Sequence, residues 1–402
     1  MVTEGDHAGW SPMIISQIFL TINGGSSSIK FAVYDASDPN QRLCSGQIER
    51  VGQPGTTITA KGLGDPVDKQ PMQGADHADA ANELETWLRP RLGGRTITAI
   101  GHRVVHGGLH LIDHTIINDK VLEQLKQATA FDPSHLPREI MLIETFGKKF
   151  PGIPQVACFD TEFHKDLPTV SKLLPIPRKY FDAGVHRFGF HGLSYAYLMG
   201  ELRRVAGDAA DARVILAHLG SGASMAAVKN GKPIDTTMAF TPTAGLVMGT
   251  RPGDLDPGLL VYLLRQEKMS VDQLDAMLNK NCGLLGVSET SNDMRDLVEK
   301  RASDHRAKEA VDLFCYQAKK WIGSFAAALG GVDTLVFAGG IGEHSPEARA
   351  AICDGLGFLG IEINPAANHD SESVISTGKI AVRVIATDEE IMIARTIFTL
   401  VQ

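Results

Sequence analysis

LTINGGSSSIKFAVYDAS at residues 20–37 and ILAHLGSGASMAAVKNG at residues 215–231 follow one pattern: an apolar run, a small Gly/Ser loop, a second apolar run and a turn. The Asn230-Gly231 pair that closes the second stretch suits the tight turn of a β-hairpin, because both residues tolerate positive φ. Each half of the chain is therefore expected to begin with a similar hairpin, although Gly/Ser turns between strands also occur in α/β proteins without duplication. Outward from these stretches, strand-like runs at 18–22, 29–34, 95–105, 153–159, 213–219, 334–339 and 381–386 alternate with helical patterns at 79–88, 119–129, 137–150 and 307–329. That alternation predicts an α/β architecture.

Composition narrows the function classes. With 402 residues the chain is long enough for two or three domains. Its 39 basic and 47 acidic side chains give a net charge of −8, and the acidic excess is spread along the chain, which excludes a broadly basic nucleic-acid surface. Charged residues at 21% and hydrophobic residues at 43% fit a soluble globular protein, and no run approaches the roughly 18 to 20 apolar residues of a membrane span. Cys44, Cys158, Cys282, Cys315 and Cys353 are scattered without C-x-x-C spacing, so neither a disulfide framework nor a zinc site is signalled and a reducing cytoplasm is expected. The polar opening MVTEGDHAGWSP lacks the order of a secretion signal, and residues 1–16 read as a disordered extension. The unusual figure is 41 glycines, about a tenth of the chain against an average near 7%.

Glycines gather with polar residues at the ends of the strand-like runs. Asn23-Gly24-Gly25-Ser26-Ser27-Ser28-Ile29-Lys30 has the composition of a phosphate cradle, in which small residues let backbone N–H groups and hydroxyls face an anion beside Lys30. Read alone it serves equally as a polar hairpin turn, and neither a Walker loop nor G-x-G-x-x-G occurs. Gly101-His102-Arg103-Val104-Val105-His106-Gly107-Gly108 sets a guanidinium, whose fork suits carboxylate or phosphoryl oxygens, at a strand end. His102 and His106 match no metal motif and take structural or supporting roles. Cys158-Phe159-Asp160, Phe190-His191-Gly192 and Thr250-Arg251-Pro252 repeat the polar strand-end character. Ligands of open α/β sheets gather beyond the carboxyl ends of strands. Two arginines, an aspartate and exposed histidines around Gly-rich turns together point to phosphoryl transfer, where cationic donors stabilise charge on the moving group.

Near the C-terminus, Gly339-Gly340-Ile341-Gly342-Glu343 follows an apolar strand and leads into Ser345-Pro346-Glu347, a helix start with Ser as cap and Pro at the first helical position. Such a turn suits an anion or nucleotide. Thr387 and Glu390 have the spacing of a capping box, which predicts a capping role for Glu390 and leaves Glu389 free to organise Mg²⁺.

Taken in order, INGGSSSIKF, GHRVVHGG, CFDTEFH, RFGFHG, HLGSGAS, FTPTAGLVMGTRPGDLDPG, SNDMRD, FAGGIGEH and ATDEEIMIAR resemble the acetate kinase family of short-chain acyl kinases, from about residue 17 to 400. The resemblance implies two duplicated ribonuclease-H-like domains of the fold shared by acetate and sugar kinases, Hsp70 and actin, with an interdomain active-site cleft and usually a homodimer. Residues 17–159 plus 388–402 would form one domain, and residues 160–387 the nucleotide-binding one. It also implies reversible, Mg²⁺-dependent phosphoryl transfer between ATP and acetate or another short-chain carboxylate, giving ADP and an acyl phosphate. A propionate or butyrate kinase, or a non-catalytic ATP-binding protein of the same fold, is the alternative, and no nucleic-acid or membrane partner is implied. An ionised carboxylate needs no general base, which favours direct in-line transfer over a phosphorylated Asp160 or His191.

By the same resemblance, Asn23 and Glu389 would hold the metal, with Ser26, Ser28 and Lys30 in the adjoining loop. Arg103 and Arg251 would hold the carboxylate and the phosphoryl group, His191 would donate to that group in flight, His135 would support the same region, and Asp160 would orient the metal and its waters. Val105, Phe190 and Pro242 would line the acyl pocket. His218, Gly220, Gly222, Gly340 and Gly342 would face the nucleotide, and Asp293, Met294 and Arg295 its adenosine. Three departures leave the phosphoryl donor and the preferred acid open: the family's H-L-G-N-G has Ser221 at its Asn, G-I-G-E-N ends in His344, and the usual Leu before the PLHNP histidine is Ser134.

Overall fold

The computed structural model describes residues 16–402, so the expectation for the N-terminal extension falls, apart from Ser16, outside the described residues. Among the described residues, thirteen strands form two mixed sheets. In the first, β1 (Gln17–Gly24) and β2 (Ser28–Asp35) make an antiparallel hairpin registered from Ile18 opposite Asp35 to Gly24 opposite Ile29. β3 (Arg42–Glu49) continues antiparallel beyond β2, and β4 (Thr57–Gly62) and β5 (Val67–Pro71) extend that edge. On the other side of β1 lie β6 (Thr96–Val104) and then β8 (Gln155–Phe159), both parallel, with the two-residue β7 (Thr115–Ile116) outermost.

The second sheet repeats the plan. β9 (Arg213–Leu219) and β10 (Ala223–Lys229) pair antiparallel, β11 (Lys232–Thr236) follows β10 antiparallel, and β12 (Thr334–Ala338) and β13 (Ala381–Val384) stack parallel on β9. The orders β3-β2-β1-β6-β8 and β11-β10-β9-β12-β13 therefore match in sequence and in sense, and the duplication suggested by two stretches of sequence is present in the topology. Asn230 and Gly231 adopt φ of 54° and 72°, as the tight turn between β10 and β11 requires.

The core follows from which strands are apolar on both faces. β12 is buried at every position and β1 at all but its first, so helices must cover both sides of each sheet. Helix His305–Leu329 buries Ala307, Val311, Phe314, Ala318, Ile322 and Phe325 at helical spacing; Asp304 caps its start, and Gly330 ends it in the left-handed conformation. One face of the first sheet is covered by helices His77–Leu88 and Leu136–Lys149 through Leu84, Trp87, Leu142 and Phe146. Its other face is covered by the last helix of the chain, Glu389–Val401, whose Ile393, Ala394 and Ile397 pack on Phe19, Ala99 and Val156. Among the described residues no helix is long and apolar enough to cross a membrane, and all five cysteines are free.

The approach of that last helix explains one glycine. A Cβ on Gly101 of β6 would lie 2.3 Å from Ile393 Cγ2 and 2.8 Å from Ile397 Cδ1. Gly101→Ala is expected to lower stability by about 1–3 kcal/mol through overpacking. Urea denaturation measures it, and an unchanged midpoint would contradict this packing.

Candidate active site

Strand ends deliver the polar residues of the first half. Asn23 and Lys30 face each other across the β1–β2 ladder, and the loop that carries Ser26 between them is closed by the Gly25 N–H donating to the Ser28 carbonyl at 2.8 Å. His77 Nε2 holds this loop from outside, 2.8 Å from the Gly25 carbonyl. Asn23 Nδ2 donates to Glu389 Oε2 at 3.0 Å and to Glu390 Oε1 at 3.4 Å, joining the end of β1 to the start of the last helix. Burial acts against the charge of Glu389, yet Arg103, His218 and Lys30 outweigh it and hold the carboxyl below its ordinary range. Burial and the Glu389 charge push Glu390 the other way.

The capping box expected from Thr387 and Glu390 does not form. The N-cap is one residue later, at Asp388, whose carboxylate accepts the Ile391 N–H at 3.0 Å, so the position a capping Glu would need is Ile391. Thr387 instead meets Ser194 Oγ at 2.7 Å, and Glu390 turns its carboxylate to Asn23.

Arg103 lies one residue before the end of β6, and Asp160 follows β8 directly. Because the two strands are adjacent and parallel, with Arg103 opposite Cys158, both side chains reach the same edge. Arg103 Nε donates to both Asp160 oxygens at 3.1 Å and Nη2 donates to Oδ2 at 2.5 Å. Burial disfavours the guanidinium charge, but Asp160, Glu389 and Glu139 overcome that and raise its pKa. Burial pushes the Asp160 carboxyl up; Arg103 opposes the shift and the like charge of Glu389 adds to it.

His102 and His106 take the structural roles expected of them. His102 Nε2 meets Gln155 Oε1 at 2.7 Å, and His106 Nδ1 accepts the Gly108 N–H at 2.8 Å inside a ring of Phe131, Phe188 and Phe190. Burial pushes both down to about 4, so they are neutral. Val105 and Phe190 are buried near this aromatic cluster. His135 Nδ1 lies 2.9 Å from Asp132 Oδ1, and Asp132 also accepts the Ser134 and His135 backbone N–H groups. Asp132 belongs to no motif; its only trace in the sequence is its place three residues before His135.

In the second half His191 sits at φ 58°, a conformation uncommon outside glycine, immediately before helix Gly192–Ala206. The Gly192 N–H donates to the Asp160 carbonyl at 2.8 Å, so the histidine is tied to the Arg103–Asp160 pair. His191 Nδ1 is 2.8 Å from Ser224 Oγ, which also bonds the Tyr195 hydroxyl. If Tyr195 donates to Ser224 and Ser224 to Nδ1, the ring proton lies on Nε2. That nitrogen faces Gly222, where a Cβ would be 3.4 Å away and only 2.7 Å from Arg251 Nη2. Burial, reinforced by His218, Arg103 and Arg251, holds His191 well below its ordinary pKa and therefore neutral. His218 stacks on it with ring centroids 4.3 Å apart and meets Ser194 Oγ at 2.8 Å through Nδ1.

Among the described residues Arg251 has no carboxylate in contact; its Nη1 donates to the Pro242 carbonyl at 2.7 Å, and burial pushes its pKa down to about 10, which still leaves it cationic at neutral pH. The two glycine loops lie together: a Cβ on Gly220 would be 3.9 Å from the Gly340 nitrogen, and Gly342 backs onto Ala217 and Phe337. Glu343 pins this corner by accepting the N–H of Gly339 at 2.8 Å and that of Thr387 at 3.1 Å. Asp293 caps helix Met294–Lys300 and pairs with exposed Arg295 at 2.6 Å, while the Met294 side chain is buried in the core. Asn292 and Ser221 both border Gly249, which places this rim beside the β9–β10 loop. Arg103, Asp160, His191, His218, Arg251 and Glu389 thus meet where the two sheets face each other, and Glu139, Ser194, Tyr195, Ser224 and Glu343, to which the sequence reading gave no role, join them.

Known proteins are similar to this chain along nearly its whole length. The profile of the Acetokinase family matches residues 18–395. The acetate kinase of Rhodopseudomonas palustris is 42% identical over 395 residues, covering 96% of this chain and 99% of its own, and that of Thermosipho melanesiensis is 41% identical over 392 residues. Among solved structures, a propionate kinase from Francisella tularensis superimposes with a TM-score of 0.88 at 36% identity, covering 94% of this chain and 98% of its own. The acetate kinase of Porphyromonas gingivalis gives 0.85 at 35% identity, covering 96% and 100%. Two sheets of matched topology with a charged cleft between them, and a family profile spanning both, make this chain a member of the acetokinase family.

Proposed function

We propose that the protein transfers a phosphoryl group reversibly between ATP and acetate, giving acetyl phosphate and ADP by direct in-line displacement. The observation that carries this reading is the convergence on neutral His191 of two guanidinium groups, Arg103 from the first half and Arg251 from the second. Repulsion between a carboxylate and a triphosphate is the obstacle, and paired cations with a neutral donor between them offset it where charge develops. A phosphorylated aspartate fits poorly, because both Asp160 oxygens already accept from Arg103. The Francisella propionate kinase supports a longer acid as the second reading. Trapping of acyl phosphate as hydroxamate, with MgATP and acetate, propionate or butyrate, tests both; product from none of the three would overturn the kinase reading.

Mg²⁺ fits the oxygen donors at the mouth of the first half. Asn23, Glu389 and Glu390 converge there, and among the described residues no three His, Cys, Asp or Glu side chains gather tightly enough to hold an ion alone. Mg²⁺ is commonly held by one or two carboxylates with water and phosphate oxygens, and it would neutralise phosphate charge. The division into 17–159 plus 388–402 and 160–387 is part of this proposal, and the packing of the last helix on β1 and β6 supports it. So is a homodimer: helix Pro257–Gln266 carries Leu259, Leu260, Val261, Tyr262, Leu263 and Leu264 and buries none of them.

Arg251→Ala is expected to lower kcat/KM by about 10²–10³-fold with an unchanged melting curve. Arg103→Ala should lose activity and also about 3–5 kcal/mol of stability, since it strands the buried Asp160 carboxylate. Steady-state kinetics beside thermal melts would separate the two, and near-normal turnover in Arg251→Ala would refute its role. Glu389→Gln should raise the Mg²⁺ concentration needed for half-maximal rate, whereas Asp388→Ala should cost about 0.5–2 kcal/mol as a lost cap; identical Mg²⁺ titrations for the two would contradict this division. Leu259→Glu with Tyr262→Glu should halve the particle mass in light scattering, and an unaltered mass would exclude that face.

A further inference from the structure

We propose that Glu139 is a positioning residue for the acid-binding end of the site: one of its oxygens holds the Val105 backbone, the other faces the uncommitted end of Arg103, and together they set how that guanidinium meets the substrate carboxylate. The inference rests on the kinase reading above.

Glu139 lies in the first turn of helix Leu136–Lys149 and is buried. Its Oε2 accepts the Val105 N–H at 2.9 Å, one residue beyond the end of β6. Its Oε1 is buried with no hydrogen-bond partner among the described residues, and Arg103 Nη1 lies 3.9 Å from it. The other donors of Arg103, Nε and Nη2, are committed to Asp160. An unused acceptor thus confronts an unused donor just beyond bonding distance. Glu139 links Val105, expected at the acyl pocket, to Arg103, expected at the substrate carboxylate. Buried polar atoms are rarely left without a partner, so an orphan here marks a group whose partner comes with the ligand or whose charge is suppressed.

Burial favours suppression in the free protein. Facing Glu139 are Arg103 from β6, Asp160 after β8 and Asp132 from the loop before its own helix. Burial pushes the carboxyl up to about 8, Arg103 and the Val105 N–H oppose that, and the two aspartates add to it. Below that pH the group is mainly neutral and Arg103 Nη1 is free for an anion. Above it the ionised carboxylate competes with the substrate for the same N–H groups, so the KM for the acid should climb.

The test is steady-state kinetics of the full chain from about pH 6 to 9.5, with the KM of the acid and of ATP measured separately. The wild type should show an acid KM that rises above about pH 8 while the ATP KM stays level. Glu139→Ala should raise the acid KM about tenfold at neutral pH and change the ATP KM less than about twofold. Glu139→Gln keeps an acceptor for Val105 and cannot ionise, so it should recover most of the lost acid affinity and show no alkaline rise. A Glu139→Gln profile that follows the wild-type rise, or a Glu139→Ala variant that alters both KM values alike or neither, would overturn the proposal. Should Glu139→Ala fail to fold, the Glu139→Gln profile decides alone. A wild-type chain that forms no acyl phosphate overturns the kinase reading and this inference with it, whereas an active wild type with the contrary profiles overturns the inference only.

Discussion

Both oxygens of a fully buried aspartate grip one guanidinium, and the geometry of the cleft depends on that pair. Arg103 and Asp160 are brought together by neighbouring parallel strands, and the Asp160 carbonyl then receives the N–H that starts helix Gly192–Ala206. Breaking such a pair leaves an uncompensated charge out of water, so its direction is fixed before any ligand arrives. Arg251 is held differently, by the Pro242 carbonyl oxygen, with no acid in contact among the described residues. One cation is rigid and largely neutralised, while the other keeps its charge for an incoming anion. That asymmetry gives the two halves of a duplicated chain unequal work.

The same inequality runs through the loops. Between β1 and β2 the first half has Ser26 and Ser28 beside Asn23 and Lys30, which can offer hydroxyls, an amide and a cation. Between β9 and β10 the second half has Gly220 and Gly222, which offer backbone and close approach instead. Gly222 has to be small because Arg251 and His191 already occupy the space a side chain would need. Duplication supplied two equivalent strand ends, and different residues at those ends made one polar and the other open.

Much of this was legible in the sequence where local pattern controls structure. The runs read as strands and helices, from residues 18–22 to 381–386, fall within two residues of the observed elements at each end, because their apolar residues are buried in place. β3, β4 and β5 escaped notice since their alternation is mixed with exposed polar residues at the sheet edge, and helix Pro257–Gln266 because it has no buried face to impose a period. Of the residues that stood on motifs, Arg103, Asp160, His191, His218, Arg251 and Glu389 come together. Those that support them, Glu139, Ser194, Ser224 and Glu343, make bonds to groups distant in the chain, and no local pattern records such partners. The misplaced cap shows the limit at its finest scale: T-x-x-E spacing was present, but an aspartate one step later took the helix start.

The last helix covers the first sheet, and this sets an order of events during synthesis. Strands β1, β2, β6 and β8 leave the ribosome early, yet the apolar face around Phe19, Ala99 and Val156, met partway by Leu193, lacks most of its cover until Ile393 and Ile397 emerge. A nascent chain therefore carries an unfinished, sticky surface through production of the entire second half, a hazard that chaperones meet in domains closed by their own termini. Truncation of a dozen residues from the end would consequently damage the beginning.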